Sequence, residues 1–252
     1  MSMKKWLSIL VLLGVALAAT LGVARAEEEK VVLERAPDRT NSLASLQHGA
    51  QLFVNYCLNC HSASMLRYSK LRSIGISQHA IEENLLFSGG KVGDTMTIAM
   101  RAADAKEWFG VAPPDLSLEA RARGVDWLYT YLRTFYRDPA RPTGWNNRVF
   151  PDVVMPHVLW QLQGVRDAKF VEKKGEDGGV THQFSGFTQV SKGTLAPIDY
   201  DSSVADLVSY LAWMSEPVRK TRERVGVWVL LFLGVLTLCA WRLNAAYWKN
   251  IK

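Results

Sequence analysis

The sequence predicts a mainly α-helical domain that carries a small hairpin insertion and ends in one C-terminal transmembrane helix. Three observations predict it. Apolar residues recur at helical spacing in separate blocks between residues 42 and 214. Two short β-prone runs flank the glycine-rich stretch Gly175-Glu176-Asp177-Gly178-Gly179. Near the end, Val225 to Trp241 runs for 17 residues without a charge.

The two ends set the topology. Lys4 and Lys5 precede an uncharged run from Trp6 to Val23, and Ala24-Arg25-Ala26 then has small residues where a signal peptidase reads. An uncleaved membrane helix has the same length. The Ala-x-Ala site and the polar run Glu27-Glu28-Glu29-Lys30 favour a cleaved leader over residues 1–26. The second apolar stretch rises about 25 Å, and flanking arginines can snorkel to complete a crossing. Leu, Val and Trp occupy every face of it, unlike a buried core helix, and Trp228, Trp241, Tyr247 and Trp248 sit where interfacial belts form. Residues 217–248 are therefore expected to be the anchor. Four cations precede the span and three follow it, too even a split to orient the chain. Export by the leader orients it instead: residues 27–216 in the periplasm, the span in the bacterial inner membrane, and residues 249–252 as a cytoplasmic tail.

The net charge of +6 then loses its meaning. Of 30 Lys and Arg, Lys4, Lys5 and Arg25 leave with the leader and Arg242, Lys249 and Lys252 follow the span. The remaining 24 face 24 Asp and Glu. No nucleic-acid partner is expected from such a balance.

Within the exported part, Leu43, Leu46, Ala50 and Phe53 predict a helix over Ser42 to Tyr56. Ser77 to Phe87 reads as a short capped helix and Thr97 to Phe109 as another. Asp126 is expected to cap a stronger one bearing Trp127, Leu128, Tyr131, Leu132 and Phe135, which stops before Asp138-Pro139. The hairpin is expected over Lys169 to Phe184, through Phe170-Val171-Glu172 and Val180-Thr181-His182. Ser202 to Met214 is the last helix before the span, and Pro217 fits the first turn of the anchor. No internal repeat is present.

Cys57-Leu58-Asn59-Cys60-His61 carries the chemistry. Cysteines at this spacing project two thiols along one edge of a helical turn, matching the two vinyl groups of haem, and the histidine points an imidazole at the iron. One covalently attached haem c is expected. A thiol–disulfide oxidoreductase would place Cys-x-x-Cys after a strand in a βαβ setting, which this sequence lacks. A structural zinc site needs four ligands, and the remaining cysteine, Cys239, lies within the predicted span.

The sixth iron position has several candidates. A Met thioether is soft, favours Fe(II) and raises the potential. Met65 falls on the same side as His61, Met214 sits in the last soluble helix, and Met96 and Met100 share an expected helix face. Met155 stands in the irregular stretch Phe150-Pro151-Asp152-Val153-Val154-Met155-Pro156, which can swing across the distal face, and it leads. His157 could ligate from the same loop. His48, His79 and His182 read as surface or capping residues.

Ala112-Pro113-Pro114-Asp115-Leu116-Ser117 begins stiff and extended, then turns into a capped helix. Pro114 and its neighbours offer an apolar wall with carbonyls free to accept an imidazole N–H. Arg121 and Arg123 follow, and a guanidinium pairs with a carboxylate such as a haem propionate.

Together these segments resemble the cytochrome c1 family, the haem c subunit of ubiquinol–cytochrome c reductase, the cytochrome bc1 complex. The resemblance rests on Cys57 to Ser62, Ala112 to Ser117 with Arg121-Ala122-Arg123, Phe150-Pro151 with Met155-Pro156, and Trp213-Met214-Ser215-Glu216-Pro217 leading into the span. Asp152-Val153-Val154 departs from the family's Pro-Gly-containing form. The resemblance implies a cytochrome c-like haem domain in which Gly49 and Phe53 of the first helix pack near Tyr210 and Trp213. It implies His61 and Met155 as axial pair and Arg121 at a propionate. It also implies an electron taken from a Rieske iron–sulfur protein and passed to a cytochrome c, beside a cytochrome b. A membrane-anchored cytochrome c shuttle or a haem subunit of a terminal oxidase is the alternative, although those usually tether at the N-terminus. A haem peroxidase would need an open iron position and a catalytic acid–base pair.

Overall fold

Ser42 opens the first helix: its backbone is extended, and its hydroxyl accepts the Ser45 amide at 3.2 Å, satisfying a donor that the first turn leaves orphaned. In this computed structural model, which describes residues 31–87, 90–174 and 180–249, that helix is α1, Leu43–Leu52. The expected leader, the hairpin tip at 175–179 and residues 250–252 of the tail lie outside the described residues. One π-helical turn, Phe53–Cys57, continues α1, with the Leu58 amide donating to the Phe53 carbonyl at 2.9 Å. Periodicity carries the helix this far and says nothing of the widened turn that delivers Cys57.

The core forms where α1 crosses α7, Pro197–Ser215. Pro197 occupies the first turn of α7, where its missing N–H costs nothing, so the helix starts five residues before the expected Ser202. The crossing is close because position 49 is glycine. A Cβ there would strike the Asp206 carbonyl oxygen and lie 2.6 Å from Tyr210 Cβ. Phe53 packs against Tyr210 with ring centroids 5.6 Å apart, and Tyr210 lies 5.7 Å from Trp213. The expected pairing of the first and last soluble helices is present.

Asp206 ties three segments together, accepting from Arg39 Nη1 at 2.8 Å and pairing with His48 Nδ1 at 2.9 Å. Burial raises its pKa, but hydrogen bonds from His48 and Arg39 outweigh burial, and the carboxyl is held below the ordinary 3.8. A depressed carboxyl stabilises the fold above the unfolded-state value, and that stability is lost as pH falls through the folded one. Asp206→Asn should therefore lower the urea midpoint at pH 7 and lose less on going to pH 3 than the parent does. Equal losses for both proteins would show that Asp206 carries none of the acid sensitivity.

Between α1 and α7 the chain departs from the expected helices where strands compete. β1, Ala63–Arg67, pairs antiparallel with β2, Thr95–Met96, and a 3-10 turn, Tyr68–Ile74, leads to α2, Gln78–Asn84, capped by Ser77. Residues 95 and 96 pair with β1, residues 97–101 are irregular, and α3 runs from Ala102 to Phe109 and not from the expected Thr97. Met96 and Met100 thus share no helix face. After α4, Glu119–Ala122, comes α5, Val125–Arg133, whose N-cap is Gly124 at φ 90° and not Asp126. Asp126 instead accepts the Ala36 amide at 2.8 Å, a partner 90 positions away that no local rule supplies. α5 also stops at Arg133, short of Asp138, since β3, Phe135–Arg137, pairs with β4, Trp145–Asn147.

The hairpin is longer than expected. After α6, Trp160–Gln163, strands β5, Gly164–Lys174, and β6, Val180–Lys192, pair from Gly164↔Lys192 onward and join a four-stranded sheet ordered β4-β3-β5-β6. Irregularities at Val165/Arg166 and Lys169/Phe170 interrupt the two-residue alternation, which hides the proximal half from a periodicity reading. Finally, α8, Arg219–Tyr247, runs 29 residues with none of its apolar window buried, long and apolar enough to cross a membrane. Pro217 stands in the turn before it and not in its first turn.

Candidate functional site

The π-helical end of α1 hands over directly to the cysteine motif. Cys60 N and His61 N both donate to the Cys57 carbonyl, at 3.1 and 2.9 Å, which curls the segment so that Cys57, Cys60 and His61 line one cavity of about 460 Å³. The 112–118 segment is laced to this turn. His61 Nδ1 bonds the Pro114 carbonyl at 2.7 Å, Leu116 N donates to Ser62 O at 2.8 Å, and Ser64 N donates to Asp115 Oδ2 at 2.9 Å. A carbonyl only accepts, so the proton sits on Nδ1 and the Nε2 lone pair is left for a metal. Burial lowers the His61 pKa more than the Pro114 bond raises it, keeping the ring neutral.

The opposite wall is built from α5 and the loop after β4. Asn147 is buried; its amide donates to the Tyr131 carbonyl at 2.8 Å, and its Oδ1 accepts the Val149 and Phe150 amides at 2.8 and 3.1 Å. Asn146 Oδ1 accepts the Asp152 amide at 2.9 Å, and Asp152 adopts a φ of 61°, a left-handed turn that aspartate tolerates better than most residues. These bonds hold residues 149–152 so that Val153, Val154, Met155 and Pro156 line the cavity. Of the five candidate methionines, Met155 lines it and the others do not. Met65 is 72% exposed, Met96 and Met214 are buried in the core, and Met100 lies away from it. His157 is turned away, stacked on Phe135 at 4.9 Å and bonded through Nε2 to Gln163 at 2.7 Å. Burial pushes its pKa down to about 3.

The arginine at the cavity is Arg123, and the expected Arg121 is not. Arg121 is exposed on α4, and a residue two positions along a helical turn faces the other way. Arg123 lies 4.7 Å from the Trp127 ring centroid and donates through Nε to Glu119 at 3.1 Å. Trp127 and Tyr131 also line the cavity. Their spacing marks one helix face, which the apolar stripe already revealed, whereas nothing local to Asn146 and Asn147 signals their role as loop anchors.

The rest of the lining is apolar, with Leu128, Leu132, Leu207 and Leu211 among it. Burial and the nearness of Cys60 push a free Cys57 thiol up to about 12, the reverse of the activated thiolate a disulfide oxidoreductase uses. The Cytochrome C1 family model matches residues 38–169 and 184–251. The chain belongs to the cytochrome c1 family. The unmatched residues 170–183 fall within the β5–β6 hairpin, as an insertion would. The chain is 47% identical over 220 residues to cytochrome c1 of Allochromatium vinosum, covering 87% of this chain and 89% of that one. It is 44% identical over 229 residues to a Nitrosomonas europaea protein named ammonia monooxygenase gamma subunit, covering 91% and 93%. It is 32% identical over 235 residues to cytochrome c1 of Rhodospirillum rubrum, covering 82% of each. Cytochrome c1 is the haem-carrying electron-transfer subunit of the bc1 oxidoreductase complex, and covalent haem c is its cofactor. The donor set fits that group: two thiols, a neutral imidazole with Nε2 free and a thioether, around an apolar cavity.

Proposed function

We propose that this chain is the periplasm-facing electron carrier of a quinol-oxidising complex in the bacterial inner membrane. It would take one electron at a time from a Rieske iron–sulfur protein and deliver it to a cytochrome c. Cys57 and Cys60 would hold the haem through thioethers, His61 and Met155 would be its axial ligands, and Arg123 would pair with a propionate. Residues 1–26 would be removed as a leader, residues 27–216 would form the periplasmic domain, and the 217–248 anchor would pack beside a cytochrome b. The observation that carries this reading is the single cavity into which His61 and Met155 both open from different segments.

Each residue has a task that follows from its chemistry. Bound haem c supplies a one-electron Fe(III)/Fe(II) couple at a fixed position. Pro114 restrains the His61 ring, so ligation costs little reorganisation. Met155 contributes a soft sulfur that favours the reduced state. Leu128, Leu132, Leu207 and Leu211 keep water out, which lowers the local dielectric and again favours the less charged state. Arg123, braced by Glu119 and Trp127, is positioned to pair with a carboxylate without being free to swing.

Purification of the intact protein from detergent-solubilised native membranes tests the reading. The expected preparation contains b-type haem, an iron–sulfur protein and this chain beginning at Glu27. Recovery with neither partner would favour the shuttle, and recovery with ammonia monooxygenase subunits would favour the role named for the Nitrosomonas relative. A chain still beginning at Met1 would overturn the cleaved leader.

A further inference from the structure

We infer that Tyr131 sets the potential of this carrier by donating a hydrogen bond from its phenol hydroxyl to the sulfur of Met155. The hydroxyl lies 3.3 Å from Met155 Sδ, inside hydrogen-bonding range for sulfur. A thioether is a weak acceptor, so a buried phenol would not ordinarily be spent on one. Shape alone does not require it either, since a phenylalanine ring would fill the same space.

The ring is held in place independently of the sulfur. Trp127 stacks on it with centroids 4.8 Å apart and planes 12° from parallel. Phe135 meets it edge-on at 5.0 Å and 68°. Residues 127, 131 and 135 are each four apart, so α5 and the start of β3 stack them in a row. Arg123 covers the far face of that row at Trp127, and the Asn147 amide holds the Tyr131 carbonyl. The hydroxyl therefore points at a fixed place, which is the condition for a second group to tune a ligand and not merely touch it.

The sign follows from electrostatics. A donated O–H turns the positive end of its dipole toward the sulfur and the metal beyond it. The oxidised centre carries one more positive charge than the reduced one, so the dipole disfavours the oxidised state, and an apolar cavity screens this little. That orientation of the dipole raises the potential. The electron adds to iron alone; no proton moves and no bond breaks.

The inference rests on Met155 being an axial ligand. It is tested by redox titration of Tyr131→Phe in the detergent-purified full chain with its haem, alongside Phe135→Leu, which keeps the donor while altering the packing on the ring's edge. The oxidised red charge-transfer band reports Met ligation separately from the potential. The expected result for Tyr131→Phe is a retained band and a reduced-to-oxidised ratio that falls several-fold at a fixed applied potential; a tenfold fall is about 59 mV for one electron. Phe135→Leu leaves Trp127 stacked on the ring and the hydroxyl in place, so its ratio should fall by less than that of Tyr131→Phe. An unchanged or raised potential in Tyr131→Phe with the band retained would overturn the inference, as would an equal fall in Phe135→Leu. A parent protein without the band would sink the ligation reading on a measurement that does not involve Tyr131.

Discussion

Met155→Leu should keep its covalent haem, lose the red charge-transfer band of the oxidised form and fail to reduce cytochrome c at an appreciable rate. Cys57 and Cys60, which would carry the thioethers, and the His61–Pro114 bond lie on the other wall and are untouched by the change. Leucine nearly conserves volume, so the cavity wall should stay packed. With Met155 as the proposed ligand, the change removes a soft donor that favours Fe(II), and the redox equilibrium should move against reduction by at least tenfold, about 59 mV. An acceptor lowered this far would no longer draw electrons from the proposed iron–sulfur donor, so turnover should fall on the order of tenfold or more. Retention of band and activity would exclude Met155 as the ligand. His157→Gln is the companion variant: its ring faces Phe135 and Gln163, so the spectrum should be that of the parent. A large spectral change there would mean that residues 153–157 take a different path.

Gly49→Ala should destabilise the haem domain by about 3 kcal/mol, a large effect for one methyl group. The added carbon would meet the Asp206 carbonyl oxygen and Tyr210 Cβ, neither of which is the far end of a flexible side chain. α1 and α7 would have to separate, loosening Phe53 from Tyr210 and shifting the turn that carries Cys57. Thermal unfolding should fall by roughly 6–12 °C for a domain of this size. Gly93→Ala is the reference substitution, because nothing lies within 4 Å of its added carbon. Equal midpoints for the two variants would show that the helices separate without cost.

The helices were legible wherever an apolar stripe met a local cap, as at Ser42 and Ser77. They were misjudged where a distant strand claimed the same residues. Met96, read as sharing a helix face with Met100, pairs with β1, and Phe135–Arg137 belongs to a sheet although Phe135 continues the helical stripe. Asp126 has the residue type of a cap and serves the remote Ala36 amide instead. At the site, the Cys-x-x-Cys-His motif named the cysteines and His61, while Met155 led among five methionines only because its stretch is irregular. Choosing between Arg121 and Arg123 needed the direction of a short helical turn, and neither composition nor spacing carries that direction.

By itself the sequence determined the haem attachment motif, the helical class of the domain and the apolar C-terminal span, because each depends on a few residues close together along the chain. Only the tertiary structure decided which methionine and which arginine reach the cavity, how far the hairpin extends into a sheet, and that Tyr131 meets the Met155 sulfur. Those outcomes depend on contacts between segments far apart in sequence, set by the close crossing of α1 and α7 at Gly49 and by the Asn146 and Asn147 side chains that aim the 149–156 loop.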